Sequence, residues 1–394
     1  MPPRFIVPNL LPASSDSHAI ALDQAGLLRK YFGGGRRPIQ GIASEHQIQQ
    51  PAFMWANMLA GYTLPLYQYE CARFAMSPMF ERWVERQVLE GDHLLAGFGY
   101  FNHLIPRIQQ SGGRVFLDAR NSHPSSFWSL VAEEHARWGV SLPPLWPRHH
   151  MRQQRSAALA DYVLAPSRFV AESFIQHGFP ADRILRLNYP VDLSRFQPAK
   201  EPRPTNRPLT LVSSGLLTLR KGSPYLFEAF KLIRKEVPDA RLKIIRSMAG
   251  SFKPVFERMN YQALPVEWAP GMTHAQMAPW LQESDVFLLP TIEEGMVRSA
   301  AEALGCGLPV ITTRNAGVDD FIEEGVNGSI VPLRDPQAIA EAVLLWWERI
   351  RSGCHDPRAT RFERKSLGFD AFAIRFQSQL QTIFPAASIN PIQP

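Results

Sequence analysis

The sequence has few cysteines and no long apolar run. Its three cysteines, Cys71, Cys306 and Cys354, lie far apart and lack the paired spacing of a zinc site or a disulfide framework, so we expect core or surface thiols. No stretch is long and apolar enough to cross a bilayer, and the first residues lack the basic segment, apolar run and cleavage site of a secretion signal. These absences disfavour a disulfide-rich secreted protein and predict a cytoplasmic one.

Lysine is scarce in the first half of the chain, where only Lys30 precedes Lys200 and arginine carries the positive charge. The net charge of +6 and the pI near 9.3 favour an anionic partner such as a nucleotide, a phospholipid surface or a nucleic acid. The sequence has no zinc-finger, helix-turn-helix or RNA-binding motif. We therefore expect no nucleic-acid partner.

Short apolar strand patterns alternate with helical patterns along the 394 residues, which is typical of parallel sheets with crossover helices. We expect an α/β protein with two Rossmann-like, doubly wound domains facing a cleft. The pattern "AIALDQAGLLRKYF", residues 19–32, predicts one helix. A final helical pattern places five apolar residues on one stripe: Phe369, Phe372, Phe376, Leu380 and Ile383. The predicted segments are residues 1–196 (first domain), 197–208 (proline-rich linker), 209–366 (second domain), 367–384 (C-terminal helix) and 385–394 (tail).

The stretch "EEGMVRSAAEALGCGLPV", residues 293–310, contains two glutamates eight residues apart, Glu294 and Glu302. It follows the strand pattern "DVFLLP" and opens a helix, and ligands of open α/β sheets bind where strands lead into helices. A helix N-terminus attracts phosphate, and Gly295 lets the backbone approach a ligand closely. The glutamates would then accept hydrogen bonds from hydroxyls of a nucleotide sugar. The alternative is a helix-start charge and a solvated face, although the alanines beside Glu302 make an unpaired carboxylate costly.

A second strand, loop and helix repeats this arrangement in "LVSSGLLTLRKGSPYLFEAF". The loop contains Gly215, Arg220, Lys221 and Gly222, and its cations can neutralise a diphosphate. Arg298 lies in the first turn of the other helix, where the helix dipole disfavours a cation unless a bound phosphate compensates it. The alternatives are a solvated turn and a surface arginine.

These motifs, in this order, resemble those of the family-4 retaining glycosyltransferases of the GT-B fold. The glutamate pair is followed by "EALGCGLPVI", the basic element is matched by Lys221 and Gly222, and "APSRFVAESF" and "VDLSRFQP" match the segment before the linker. The resemblance covers nearly the whole chain. It implies an acceptor-binding first domain, a second domain that binds the nucleotide-sugar donor, and a C-terminal helix that crosses back to the first domain.

The resemblance also implies a role for each motif residue. Glu294 would hold a hydroxyl of the donor sugar, Glu302 the ribose hydroxyls, and Lys221 the diphosphate. The family has an arginine where this chain has Leu216, and whether Arg220 replaces it stays open. The implied donor-binding set is Gly215, Arg220, Lys221, Gly295, Met296, Val297, Arg298 and Glu302.

In the first domain, "FLDARNSHPSSF" places Asp118, Arg120 and His123 at the exit of a strand. A histidine here resembles the one that lines the donor sugar in the family, so His123 joins Glu294 and Lys221 as a candidate catalytic residue. The alternative is a capping or surface histidine. Asp118 and Arg120 are candidates for a simple ion pair.

The sequence contains no Asp-x-Asp motif of the kind that metal-dependent transferases use. We therefore expect no metal and no cofactor, only a UDP- or GDP-sugar as co-substrate. Lys221, Arg220 and the helix N-terminus would stabilise the charge that develops on the leaving diphosphate. Retention of the anomeric configuration is implied by the family.

The family's first loop is usually glycine-rich where this chain has "PASSDSH", so the resemblance leaves acceptor handling near Ser14, Ser15 and Ser17 open. The stretch "LWPRHHMRQQR", residues 145–155, also forms a basic, aromatic-flanked patch. It suits a lipid-linked diphosphate acceptor or peripheral contact with the inner face of the cell membrane, and the alternative is a solvated helix start. The patch consists of Leu145, Trp146, Arg148, His149, His150, Arg152 and Arg155.

The sequence thus predicts a glycosyltransferase that moves a hexose-type sugar to a saccharide or lipid-linked acceptor in cell-surface polysaccharide or glycolipid synthesis. A nucleotide-sugar epimerase or hydrolase, or a non-catalytic nucleotide-sugar-binding protein, on the same fold stay open as alternatives. A Rossmann dehydrogenase is disfavoured because "GFGYFN", residues 97–102, lacks the third glycine of the dinucleotide-binding motif.

Overall fold

The computed structural model describes most of the chain. The described residues are 2–9, 15–34, 38–53, 55–56, 59, 66–201, 204, 206–269, 272–358 and 364–385. Ser14 and residues 386–394 of the predicted tail lie outside this part of the chain.

The first half of the chain forms a parallel sheet of seven strands in the order β3-β2-β1-β4-β5-β6-β7. Its central strands are almost completely buried, as expected of parallel strands that helices cover on both faces. The strands are β1 (Arg4–Asn9), β2 (Leu28–Gly33), β3 (Gln47–Gln49), β4 (Asp92–Gly97), β5 (Val115–Asp118), β6 (Tyr162–Ala165) and β7 (Ile184–Arg186).

The second half forms a parallel sheet of six strands in the order β10-β9-β8-β11-β12-β13. Both sheets have the doubly wound strand order, in which the chain reverses direction across the sheet beside its first strand. The expected α/β architecture is therefore confirmed. The domain and linker boundaries stay predictions. The strands are β8 (Thr210–Ser214), β9 (Arg241–Ile245), β10 (Val266–Ala269), β11 (Val286–Leu289), β12 (Val310–Thr312) and β13 (Gly328–Ile330).

Helices connect the strands and cover both sheets. Several of them begin at side-chain caps: for example, Ser167 accepts from the Val170 N–H at 3.3 Å, and Asp335 accepts from the Ala338 N–H at 2.9 Å. The helices are α1 (Ser15–Gln24), α2 (Leu66–Glu85), α3 (Leu104–Gln110), α4 (Pro124–Arg137), α5 (Trp146–Leu159), α6 (Arg168–Gln176), α7 (Ser223–Glu236), α8 (Lys253–Arg258), α9 (His274–Gln282), α10 (Arg298–Gly305), α11 (Pro336–Arg351) and α12 (Phe369–Ile383).

The prediction of one helix over residues 19–32 is wrong in its second half. Helix α1 ends at Gln24, and Leu28–Gly33 forms β2. Tyr31 and Phe32 are buried because β2 lies between β1 and β3. Aromatic side chains fit a buried, pleated strand, and this packing outweighs the helical spacing.

The second sheet has an apolar core on each face. One core contains Phe227 and Phe230 of α7 and Trp346 of α11. The other contains Ala301 of α10 and the neighbouring Cys306. Helix α10 is therefore fixed against the sheet, and its N-terminus lies at a defined place beyond β11.

The C-terminal helix α12 packs on the first domain, as the resemblance implies. Phe372 and Phe376 of α12 lie in the same buried cluster as Phe5 of β1 and Leu22 of α1. The apolar stripe read from the sequence is thus the face that α12 buries. This helix returns the chain to the first domain.

Candidate active site

A cavity of about 980 Å³ opens at the carboxyl ends of β8, β9 and β11. Ligands of open α/β sheets bind at this edge, so the cavity is the candidate active site. Segments near residues 190–197 and 365–369 complete its wall. The charged lining residues are Asp192, Lys221, Arg246, Glu294, Arg298, Glu302 and Lys365.

Glu294 lies in the cavity wall between two cations. Its Oε1 lies 2.6 Å from the Lys221 Nζ and 3.0 Å from Nη2 of Arg220. Burial alone would raise the pKa of Glu294, but the charges of Arg220 and Lys221 outweigh it and lower the pKa to about 2. Glu294 is therefore an anion at neutral pH, held in place as a hydrogen-bond acceptor.

Glu302 reaches the same cavity from α10. It is 6% exposed, and Met296, Val297 and Arg298 line the cavity at the start of that helix. The structure therefore brings both glutamates together beside a helix N-terminus, which is the arrangement that the sequence spacing predicts. Their contacts with a ligand stay predictions.

Arg220 is not among the described residues that line the cavity, whereas Lys221, Gly215 and Leu216 are. Its Nη1 donates to the main-chain oxygen of Glu293 at 2.7 Å, and the same nitrogen is 3.3 Å from Oε2 of Glu293. Arg220 thus holds two consecutive glutamates. Its expected contact with a diphosphate stays a prediction that this position does not support.

Glycine is required at two positions where backbones approach closely. A Cβ on Gly222 would lie 1.8 Å from the Pro290 carbonyl oxygen, and Gly222 has a φ of +66° at the start of α7. A Cβ on Gly295 would lie 2.0 Å from the Arg120 carbonyl oxygen in the first domain. Gly295 thus allows contact between the domains. Among the described residues, it is not one that lines the cavity. Its contact with a ligand stays a prediction.

His123 caps the N-terminus of α4. Its Nδ1 accepts from the Ser125 N–H at 3.2 Å, and its ring stacks on His177 with centroids 4.1 Å apart. Burial, with the nearby His177 and His150, lowers the pKa of His123 to about 4. The cavity wall formed by the described residues does not include His123. Its catalytic assignment therefore stays a prediction, and the observed position matches the capping alternative.

Asp118 and Arg120 form a pair at the exit of β5. The Arg120 Nε lies 3.1 Å from Oδ2 of Asp118, and the Tyr189 hydroxyl donates to Oδ1 of Asp118 at 2.6 Å. Burial would raise the pKa of Asp118, but nearby His18, Arg120 and the Tyr189 hydrogen bond together lower it. Asp118 is therefore a buried structural anion.

Sequence reasoning missed several residues of the site. Arg246 lines the cavity directly after β9 and has a φ of 110°, a conformation unusual for a residue with a side chain. Lys365 and Asp192 reach the wall from segments outside the second sheet. The position of Arg246 at the end of a strand could have indicated a site residue. Lys365 and Asp192 reach the cavity only through the folding of distant segments, which no local pattern indicates.

The basic patch lies mostly on α5. Arg148, Met151 and Arg155 are exposed on that helix, with Met151 68% exposed. His150 instead stacks on Trp128 with centroids 4.8 Å apart. In the described part of the chain, no helix has the length and apolar character needed to span a membrane.

The described residues contain no group of three or more histidine, cysteine, aspartate or glutamate side chains arranged to hold a metal ion. Activity without a metal stays a prediction.

Comparison with known proteins finds a family match within the second half of the chain. Residues 208–349, which contain the glutamate pair and Lys221, match the family described as glycosyl transferases group 1. That segment is similar to the group 1 glycosyltransferases. The chain is 31% identical over 235 residues to the putative colanic acid biosynthesis glycosyltransferase WcaL of Salmonella typhimurium, covering 57% of each chain.

A second relative is the GDP-mannose-dependent alpha-(1-6)-phosphatidylinositol monomannoside mannosyltransferase of Mycolicibacterium smegmatis. The identity is 28% over 258 residues, which cover 61% of this chain and 63% of the relative. The match thus spans less than two thirds of either relative. Among solved structures, HepE of Anabaena in complex with UDP has a TM-score of 0.62 at 14% identity, covering 97% of this chain and 100% of HepE. That likeness shows the GT-B fold.

Proposed function

We propose that the protein transfers a hexose-type sugar from a nucleoside-diphosphate sugar to a saccharide or lipid-linked acceptor, with retention of the anomeric configuration. The observation that carries this proposal is the joint placement of Lys221, Glu294 and Glu302 in one cavity at the carboxyl ends of the second sheet. A cavity of about 980 Å³ is large enough for a nucleotide sugar.

The donor binds with its diphosphate near Lys221 and the N-terminus of α10. Lys221 contacts Glu294 at 2.6 Å, so its ammonium already lies in the wall where the sugar and phosphate would meet. Glu294 accepts from a sugar hydroxyl and Glu302 from the ribose hydroxyls. UDP and GDP are the nucleotides to test, because HepE is described in complex with UDP and the mannosyltransferase is named for GDP-mannose.

Charge development favours transfer at this site. Cleavage of the bond between the anomeric carbon and the diphosphate places negative charge on the leaving group. The Lys221 ammonium and the partial positive charge of a helix N-terminus stabilise that charge in fixed positions. Arg298 and Lys365, which also line the cavity, add positive charge on the same wall. No metal ion is required in this account.

The acceptor binds on the first domain, across the cleft. We assign the product to a cell-surface polysaccharide or glycolipid, because WcaL is named for colanic acid biosynthesis and the mannosyltransferase for a phosphatidylinositol mannoside. The exposed Arg148 and Arg155 would attract an anionic lipid surface, and Met151 between them would insert into its headgroup boundary. The protein would then work at the inner face of the cell membrane, on the cytoplasmic side.

The test is release of nucleoside diphosphate from a panel of UDP- and GDP-sugars by wild type, Glu294→Gln and Lys221→Met. We expect slow release from one donor by wild type, a large loss in both variants, and no loss in Glu283→Gln, since Glu283 is an exposed partner of Lys243. EDTA should leave the rate unchanged. Conversion of a donor into its epimer without an acceptor, or binding without turnover, would contradict the proposal.

A further inference from the structure

Glu293 is the completely buried neighbour of the cavity residue Glu294 and makes contacts across the two domains. Its Oε1 accepts from the Ser122 N–H at 2.9 Å and the Ser122 hydroxyl at 3.0 Å. Its Oε2 accepts from the Asn121 amide Nδ2 at 3.0 Å. Three hydrogen bonds from the first domain therefore end on one carboxylate of the second.

Arg220 connects this carboxylate to the candidate active site. Its Nη1 lies 3.3 Å from Oε2 of Glu293, and its Nη2 lies 3.0 Å from Oε1 of Glu294. Glu294 in turn contacts Lys221 in the cavity wall. A continuous chain of polar contacts thus runs from the first domain to the residues assigned to the donor.

The first domain also contacts the loop on the other side of Glu294. Gly295 lies so close to the Arg120 carbonyl that an added Cβ would be 2.0 Å from that oxygen. Within the second domain, the Glu294 N–H donates to the Asn315 carbonyl at 3.0 Å. Glu294 is therefore flanked in the chain by two residues that rest on the first domain.

We propose that Glu293 is a positioning residue, which makes the geometry of Glu294 depend on contact between the two domains. When the first domain withdraws, Glu293 loses three donors, and a carboxylate that loses its donors must take them from elsewhere. Arg220 is the cation within reach, and a shift toward Glu293 removes its support from Glu294. The donor site is then complete only when the domains are closed. This inference rests on the proposed function, since it needs Glu294 to contact the donor.

The first variant changes the first domain alone. The double variant Asn121→Ala/Ser122→Ala removes two side-chain donors to Glu293, and neither residue lines the cavity formed by the described residues. We expect kcat for nucleoside diphosphate release to fall about tenfold or more, because small misplacement of a reacting group costs rate. The Kd for UDP or GDP alone should change less than about twofold, because nucleotide binding does not require the sugar contact of Glu294. Glu293→Gln should show the same division between kcat and Kd.

The matched control is Tyr225→Phe, which removes another buried hydrogen bond between the domains, from the Tyr225 hydroxyl to Oε2 of Glu134 at 2.8 Å. Its kcat should stay at the wild-type value. An equal loss of kcat in Tyr225→Phe would assign the effect to domain contact in general and overturn the role of Glu293. Thermal unfolding identifies any variant that fails to fold. If either the double variant or Glu293→Gln fails to fold, the kcat of the other one tests the positioning role.

The two proposals fail in different ways. A wild type that binds no nucleotide and turns over no donor contradicts the proposed function. A wild type that turns over a donor, with unchanged kcat in both the double variant and Glu293→Gln, contradicts only the positioning role.

Discussion

Replacement of Arg220 by methionine should destabilise the protein far more than replacement of the adjacent Lys221. Arg220 contacts the Glu293 carbonyl at 2.7 Å, the Glu293 carboxylate at 3.3 Å and the Glu294 carboxylate at 3.0 Å. Removing one partner of a buried ion pair costs about 3–5 kcal/mol, because the remaining charge stays buried. Lys221→Met removes one charged hydrogen bond from Glu294, which keeps Arg220, so we expect a cost of roughly 2 kcal/mol.

The assay is urea-induced unfolding of wild type, Arg220→Met and Lys221→Met at pH 7, followed by tryptophan fluorescence. Both variants lose a cation, so the difference between them reports where each cation lies and not the net charge. Equal unfolding free energies for the two variants would refute the reasoning. They would mean that the Arg220 guanidinium is not the main partner of the two glutamates.

Three further predictions concern pH and domain contact. The pKa of Glu294 is lowered from the usual 4.5 to about 2. Its ion pairs therefore stabilise the fold fully above pH 4.5. This contribution, about 3 kcal/mol, is lost as the pH falls from 4.5 through 2. Urea unfolding at pH 7 and pH 3 should therefore show a smaller stability loss on acidification for Glu294→Gln than for wild type. Burial, and next the Arg114 charge, lower the pKa of His93 to about 4. The neutral His93 ring therefore stabilises the fold above pH 6.5. About 3 kcal/mol of the free energy of unfolding is lost as the pH falls from 6.5 to 4. His93→Gln should lack this component, and an unchanged pH profile would contradict it. Gly295→Ala would place a methyl group on the Arg120 carbonyl oxygen, so we expect a lower melting temperature and a larger radius of gyration by X-ray scattering; an unchanged radius would show that the domains do not rest on this residue.

The alternating strand and helix architecture could be predicted because its apolar patterns are local. The glutamate pair could also be placed, since a strand, a short loop and a helix fix the direction of Glu294 and Glu302. Residues 28–33 could not be assigned correctly from spacing alone. Tyr31 and Phe32 form a strand because two neighbouring strands enclose them, and that information lies elsewhere in the chain.

The roles within the "EEG" stretch also depended on tertiary contacts. The sequence distinguishes Glu294 from Glu293 only by the motif spacing, yet the first lines a cavity and the second bonds to the other domain. From the sequence alone, Gly295 could allow close approach of a ligand or of the other domain. The Arg120 carbonyl beside it shows that the first domain approaches it. Contacts between distant segments decide such questions, and a local pattern does not contain them.

In the proposed function, the cavity of Glu294 and Lys221 binds the nucleotide of the donor. Calorimetric titration of wild type, Lys221→Met and the control Lys253→Met with UDP and with GDP tests it directly, since Lys253 is a largely exposed lysine of the same domain. We expect one nucleotide site per chain, with an affinity about tenfold or more lower, or about 1.4 kcal/mol, in Lys221→Met and unchanged in the control. Saturable binding of equal affinity in wild type and Lys221→Met, or no binding of either nucleotide by wild type, would contradict it.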